Sequence, residues 1–179
     1  MKIVWDEQFD EDDFDTFIIT ADGTDFRINE KQTGKYPQDR TYYSQKFKHT
    51  AVKYLISMSI HDSRCVFIDG LYKGRTNDMT MFRRKLKAKI KPGKKVITDR
   101  GFKPKGTDER EIAMVALPRV GHGSKEFRNF KSRARYRHET FKSMDDTFRH
   151  GEEKHKLAFQ AVCVTVQYQM EHGAKVFVV

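Results

Sequence analysis

A chain of 179 residues with 37% apolar and 34% charged residues fits one soluble globular domain with a charged surface. No apolar run approaches a membrane span and no charged-then-apolar leader opens the chain, so a soluble, unexported, intracellular protein is expected, nuclear in a eukaryote and cytoplasmic otherwise. The net charge of +10 and a pI near 9.6 favour polyanionic partners, nucleic acid first among them.

The first fifteen residues carry seven acids and one lysine and read as an acidic lead-in, 1–15, before a domain spanning 16–179. Phe17 to Ala21 is a short buried strand that ends at Asp22-Gly23. Gly34 to Arg40 is loop-like around Pro37. Val52, Tyr54, Ile56, Met58 and Ile60 alternate with mostly polar neighbours, the pattern of a strand with one buried face. Cys65 to Ile68 is a third apolar run, stopped by Asp69-Gly70. Short polar turns between these runs suggest an antiparallel three-strand start. Asn77 to Leu86 reads as a helix capped by Asn77, with Met81 and Phe82 facing a core.

Val96 to Thr98 is a short buried strand that runs into Asp99-Arg100-Gly101, and Ile112 to Leu117 is another, stopped by Pro118. Gly121 to Gly123 is a joint. The chain then reads as helical from Ser124, its cap, to Phe148, and again from about Glu152 to about Glu171, most of that last helix being apolar enough to be buried. Cys65 and Cys163 sit in apolar runs and read as small buried hydrophobes in a reducing compartment. The order of elements gives a mixed α/β domain around one sheet, with ligands expected at the carboxyl ends of parallel strands.

Two of the strands end in an aspartate followed closely by glycine, which points a carboxylate out of the core at a strand tip. Taken singly, Asp22-Gly23 and Asp99-Arg100-Gly101 read as ordinary turns. Charge distribution adds to them: from Arg83 to Lys105 there are eleven Lys/Arg residues and one acid, Asp99. A lone carboxylate in a basic run suits a site that receives phosphates and holds a metal. Hard Mg²⁺ prefers oxygen ligands, and three carboxylates suffice for a pair of such ions about 4 Å apart. No zinc-type Cys/His spacing, Gly-rich phosphate loop with Lys-Ser/Thr, or Gly-x-Ser-x-Gly nucleophile motif is present. Glu139 by itself reads as a solvated helix residue that pairs with Arg135. It falls nearly opposite the apolar stripe of Phe127, Phe130, Ala134, Phe141, Met144 and Phe148.

Four segments in order carry a more specific signal. They are Asp22-Gly23-Thr24, Gly74 to Phe82 (GRTNDMTMF), Ile97 to Phe102 (ITDRGF), and Arg133 to Phe141 (RARYRHETF). Together they resemble the DDE superfamily endonuclease domain, the catalytic domain of PIF/Harbinger-like transposases and their domesticated relatives. The resemblance extends nearly from Thr16 to the tail, where Phe148-Arg149-His150, His155, Phe159 to Val162 and Gln167 are similar to the family's ending. It implies an RNase H-like mixed sheet flanked by helices. It also implies that Asp22, Asp99 and Glu139 are the catalytic, metal-binding triad of a two-metal DNA endonuclease with strand-transfer chemistry, using Mg²⁺ or, as a substitute, Mn²⁺. The separations, with 76 residues between the aspartates and 39 between Asp99 and Glu139, suit that family.

Asp78 matches a recurring Asn-Asp pair and is read as a helix-start carboxylate with a structural role. Arg100, Lys103, Lys105, Arg133, Arg135 and Arg137 are the expected DNA-phosphate contacts. Fewer than twenty residues precede the first strand, and the segment Lys142 to Thr147 is less basic than the family pattern. Target recognition is therefore expected from a separate DNA-recognition protein or a missing N-terminal domain, with homo-oligomerisation left open. The alternative is a domesticated, catalytically silent protein that keeps the fold and binds DNA or a partner.

Overall fold

The strand β1 (Phe17–Arg27) does not stop at Asp22-Gly23 but runs on for five residues beyond the aspartate. It continues because β3 (His49–Ser59) lies antiparallel beside it through an unbroken register from Ile19↔Ser59 to Arg27↔Ala51. Ladder hydrogen bonds along a whole neighbour outweigh the local turn tendency of Asp-Gly. In this computed structural model the described residues are 17–29, 39–60, 64–91, 93–99, 101–103, 105–107, 113–115, 125–136, 138, 148–149 and 151–173. The acidic lead-in, the Pro37 loop, Ser124 and the 121–123 joint lie outside them.

The sheet is ordered β4-β3-β1-β5-β6, where β4 is Cys65–Lys73, β5 is Lys95–Thr98 and β6 is Ala113–Val115. The two-residue β2 (Tyr43–Ser44) adds to β3 at Thr50 and His49. The β4–β3–β1 half is antiparallel, while β5 runs parallel to β1 and β6 parallel to β5. The first and fourth apolar runs are therefore neighbours, as the sequence requires if their tips are to share a ligand. This mixed sheet with helices on it is the RNase H-like α/β arrangement.

Both faces of β3 are buried, against the one-sided reading of its alternation. Val52, Leu55, Ile56 and Met58 are each wholly inaccessible. The sheet separates two cores, and β3 contributes to both. On one face Ile19, Ala21, Leu55 and Val96 pack against α1 (Asp78–Met81), which continues as a π turn to Leu86 and a 3₁₀ turn to Lys89. On the other, Phe26, Val52, Tyr54, Ile56 and Met58 pack against Phe159, Cys163, Val166 and Met170.

These last four belong to α3 (Glu152–Glu171), whose bounds match expectation. Only one of its faces is buried, however. Leu157, Val164 and Tyr168 are exposed, because only one sheet face is available for the helix to cover. Phe159 stacks on Tyr54 with ring centroids 3.9 Å apart and meets Phe26 at 5.0 Å. Gln167 Oε1 accepts the Cys65 backbone N–H at 2.7 Å, which pins α3 to β4. Both cysteines are buried thiols, and burial pushes that of Cys163 up to about 12.

Among the described residues the helix α2 spans Lys125–Tyr136, and most of the expected continuation towards Phe148 lies outside them. At Phe148 the chain is extended: its N–H donates to Arg27 O at 2.9 Å and its C=O accepts from Asn29 N–H at 3.1 Å. This parallel bridge to Ile28 satisfies the end of β1, so Phe148 belongs to the sheet edge rather than to the helical stripe. Among the described residues no helix is long and apolar enough to cross a membrane.

Candidate active site

Strand alternation assigns the side chains of β1 to two environments. Ile19 and Ala21 enter the α1 core, and Phe26 and Ile28 the α3 core. With the β1–β3 register regular throughout, Gly23 and Asp25 share the α1 face, and Thr20, Asp22 and Thr24 share the other. The parallel neighbour β5 pairs with β1 up to Ala21↔Thr98 and then ends. The next residue on each chain is Asp22 or Asp99. Both line one cleft of about 540 Å³ that opens where β5 stops. A strand end beside a continuing neighbour is what allows two residues so distant in sequence to present carboxylates to the same space.

The Asp99 carboxylate is oriented by its own turn, accepting the Gly101 N–H on Oδ1 at 2.7 Å. Asp25 and Asp78 also line the cleft, and so do the cations Lys46, Lys53, Arg75 and Lys103. Asp25 and Lys53 are directly opposite one another in the β1–β3 register. Lys53 Nζ lies 3.3 Å from Asp25 Oδ1 and 3.1 Å from Asp78 Oδ1. Asp25 Oδ2 accepts the Ser44 hydroxyl at 2.5 Å, while its buried Oδ1 has the Lys53 charge nearby without hydrogen-bond geometry.

Burial raises the Asp78 pKa. The neighbouring Asp99 and Asp25 charges push it further up, against the opposing pull of Lys53. Burial works against the Lys53 ammonium, but Asp78 and Asp25 outweigh it and the pKa rises, so this lysine stays charged.

On the opposite face of β1, the Thr20 hydroxyl and His138 Nε2 are hydrogen-bonded at 2.7 Å in a buried contact. Thr20 is two residues from Asp22, on the same face. His138 is the residue immediately before Glu139 in the chain. Glu139, Arg100 and Arg137 lie outside the described residues, as does the side chain of Arg135. Among the described residues no three His, Cys, Asp or Glu side chains form a group that could hold a metal ion.

The expected phosphate contacts divide. Lys103 lines the cleft, whereas Lys105 and Arg133 are exposed but are not among its lining residues. Part of the basic run from Arg83 to Lys105 has structural work. Lys85 pairs with Asp69 at 2.5 Å, Arg84 lies over the Tyr72 ring, and Lys94 is buried. Lys46 and Arg75, which the sequence reading passed over, take places in the cleft instead.

Asp25, Lys53 and the inward turn of Asp78 were also missed. The available signal was Lys53, a charge in the middle of the apolar run of β3. Such a residue needs a buried partner, and cross-strand acids are the nearest source.

The family model described as DDE superfamily endonuclease matches residues 21–178, which takes in β1 from Ala21 through α3. No curated protein and no solved structure matches the chain. With the match covering most of its length, the chain belongs to the DDE superfamily endonucleases, transposase-type nucleases that act on DNA and generally use divalent metals.

Proposed function

We propose that this chain is the catalytic core of a PIF/Harbinger-like transposase, a magnesium-dependent enzyme that hydrolyses DNA phosphodiesters and can transfer the freed strand end. Asp22, Asp99 and Glu139 are its metal-binding carboxylates. The observation that carries this reading is the shared cleft of Asp22 and Asp99 at the point where parallel β5 ends beside β1.

The donor set fits a hard divalent ion. The cleft is lined by carboxylates, with no cysteine or histidine among its described lining residues, which suits Mg²⁺ or Mn²⁺ better than zinc. Burial is the main cause that holds Asp78 above its usual range, and the smaller push from the Asp99 and Asp25 charges is a repulsion that a bound cation would relieve. A pair of such ions supplies positive charge for the entering and leaving oxygens of phosphoryl transfer.

The chain's own residues do the rest. Asp99 is held in one orientation by the Gly101 N–H, so little reorganisation is needed to use it. Lys46, Arg75 and Lys103 hold DNA phosphates at the mouth of the cleft, contacts that position the backbone without reading bases. The Thr20–His138 bond ties the segment leading into Glu139 to the β1 face that carries Asp22, which supports the glutamate as the third ligand. Hydrolysis adds a water oxygen to phosphorus and expels one ester oxygen as an alcohol. Strand transfer repeats the exchange with a DNA hydroxyl as the attacking group.

The test is nicking of supercoiled DNA by wild type, Asp22→Asn and Glu139→Gln with Mg²⁺ or Mn²⁺. Metal-dependent nicking by wild type alone is expected. Nicking that survives both substitutions removes the active-site assignment, and no nicking by any of the three leaves a domesticated, silent DNA-binding protein as the better reading.

A further inference from the structure

Asp78 has no part in the triad, and its local role is taken by its neighbour. The cap of α1 is Asn77, whose side chain accepts the Met79 N–H at 2.9 Å. With α1 only four residues long before the π turn, little dipole is left for an acid at its start to stabilise. The Asp78 carboxylate is instead directed into the cleft, where Lys53 holds Oδ1 at 3.1 Å.

Its position there is set by two glycines. A Cβ built on Gly23 would collide with Asp78 Oδ1, and one built on Gly101 would collide with Oδ2. Gly23 directly follows Asp22, and Gly101 supplies the N–H that orients Asp99. A single carboxylate thus rests on the backbone beside both aspartates, on β1 just after Asp22 and on the turn just after Asp99. The β1 alternation explains how: Gly23 faces α1, and its missing side chain is the space that Asp78 fills.

We infer that Asp78, clamped by Lys53, is a positioning residue that wedges between Gly23 and Gly101 and so fixes the relative placement of the Asp22 and Asp99 carboxylates. This rests on the proposed metal-binding role of those two aspartates. Lys53 neutralises the wedge, which leaves Asp22 and Asp99 to carry the charge that attracts a divalent cation.

The experiment measures Mn²⁺ binding, from the loss of the free-ion electron paramagnetic resonance signal, on the full chain. The proteins are wild type, Asp78→Asn, Asp78→Glu and, as a control, Asp99→Asn. Residues that orient metal ligands typically change affinity by roughly 10- to 100-fold when replaced. Asp78→Asn is expected to weaken Mn²⁺ at least about ten-fold by that measure. Asp78→Glu should fail to restore it, because the added methylene has no room above the two glycines. A charge-only role predicts instead that Asp78→Glu restores binding, and that result overturns the inference.

A second measurement needs no metal. The melting points of Gly23→Ala, Asp78→Ala and the double variant should be non-additive, with Gly23→Ala costing less once the carboxylate is gone. Additive losses refute the wedge even if Asp78→Asn binds metal poorly. Unchanged Mn²⁺ affinity in Asp78→Asn, with binding lost in Asp99→Asn, refutes the inference and leaves the active site standing. Absence of Mn²⁺ binding in wild type removes the active-site reading and this inference with it.

Discussion

The two faces of β1 bury ionisable groups in opposite ways. On the α1 side, within the cleft, Lys53 faces Asp25 and Asp78 across 3.1–3.3 Å, and the two carboxylates keep the lysine charged against its burial. On the α3 side, His155 and Tyr54 are stacked among Phe26, Phe148 and Phe159, and burial holds them neutral, the histidine below its ordinary pKa and the tyrosine above. A buried charge is kept where opposite charges face it, and is suppressed where only packing surrounds the group. The cleft and the aromatic core are thereby separate regions of one sheet, and substitutions in each should affect different observables.

The largest expected effect tests the cleft. Asp99→Asn keeps the size of the side chain but removes the charge that holds a metal. It should cut metal-dependent nicking by roughly 10⁴-fold, about 5 kcal/mol of barrier. Thermal stability without metal should change little. Equal nicking by mutant and wild type would break the comparison at its functional end.

The α3 side should respond in the reverse sense. Phe159→Ala leaves a hole under Tyr54 and Phe26 and should cost about 3–4 kcal/mol in urea unfolding. Mn²⁺ affinity per folded molecule should be unchanged. A mutant that folds normally yet binds Mn²⁺ poorly would mean that the two regions are coupled rather than separate.

A smaller effect sharpens the role of the cleft cations. Lys103→Ala should weaken DNA binding several-fold and lower the slope of log affinity against log salt by about 1, the signature of one lost phosphate contact. An unchanged slope would move the phosphate path away from the cleft.

The smallest effect concerns His155. Its folded pKa is depressed by burial, so between that value and the ordinary 6.5 the unfolded chain binds a proton that the native state does not. Stability is therefore fully present above about pH 6.5 and is lost as pH falls from there towards the depressed folded value. His155→Phe should remove this slope, a difference of about 1 kcal/mol or less between pH 7 and pH 5.5, whatever the absolute cost of leaving the Tyr54 hydroxyl without its partner. Parallel melting-point profiles for the two proteins would show that His155 is not held neutral.

The sequence by itself determined where the five longer strands lie, though not the two-residue β2, that Asp22 and Asp99 stand near the ends of two apolar runs, and the extent of the last helix. These are local signals: apolar runs, glycine and proline breaks, and a largely apolar stretch long enough for a helix. The ordered motifs also carried the family. Where pairing across the sheet decides the outcome, the local reading fell short. β1 continues past Asp22 because β3 supports it, β3 is covered on both faces, and Phe148 joins the sheet edge instead of a helix.

The site shows the same division more sharply. Asp78 looked like a helix-start acid because its nearest neighbours in sequence are helical, yet its contacts are Lys53, Gly23 and Gly101. Each of those is more than twenty residues away in the chain. A carboxylate's role is set by the charges and backbone within a few ångströms of it, and only the fold determines which residues those are.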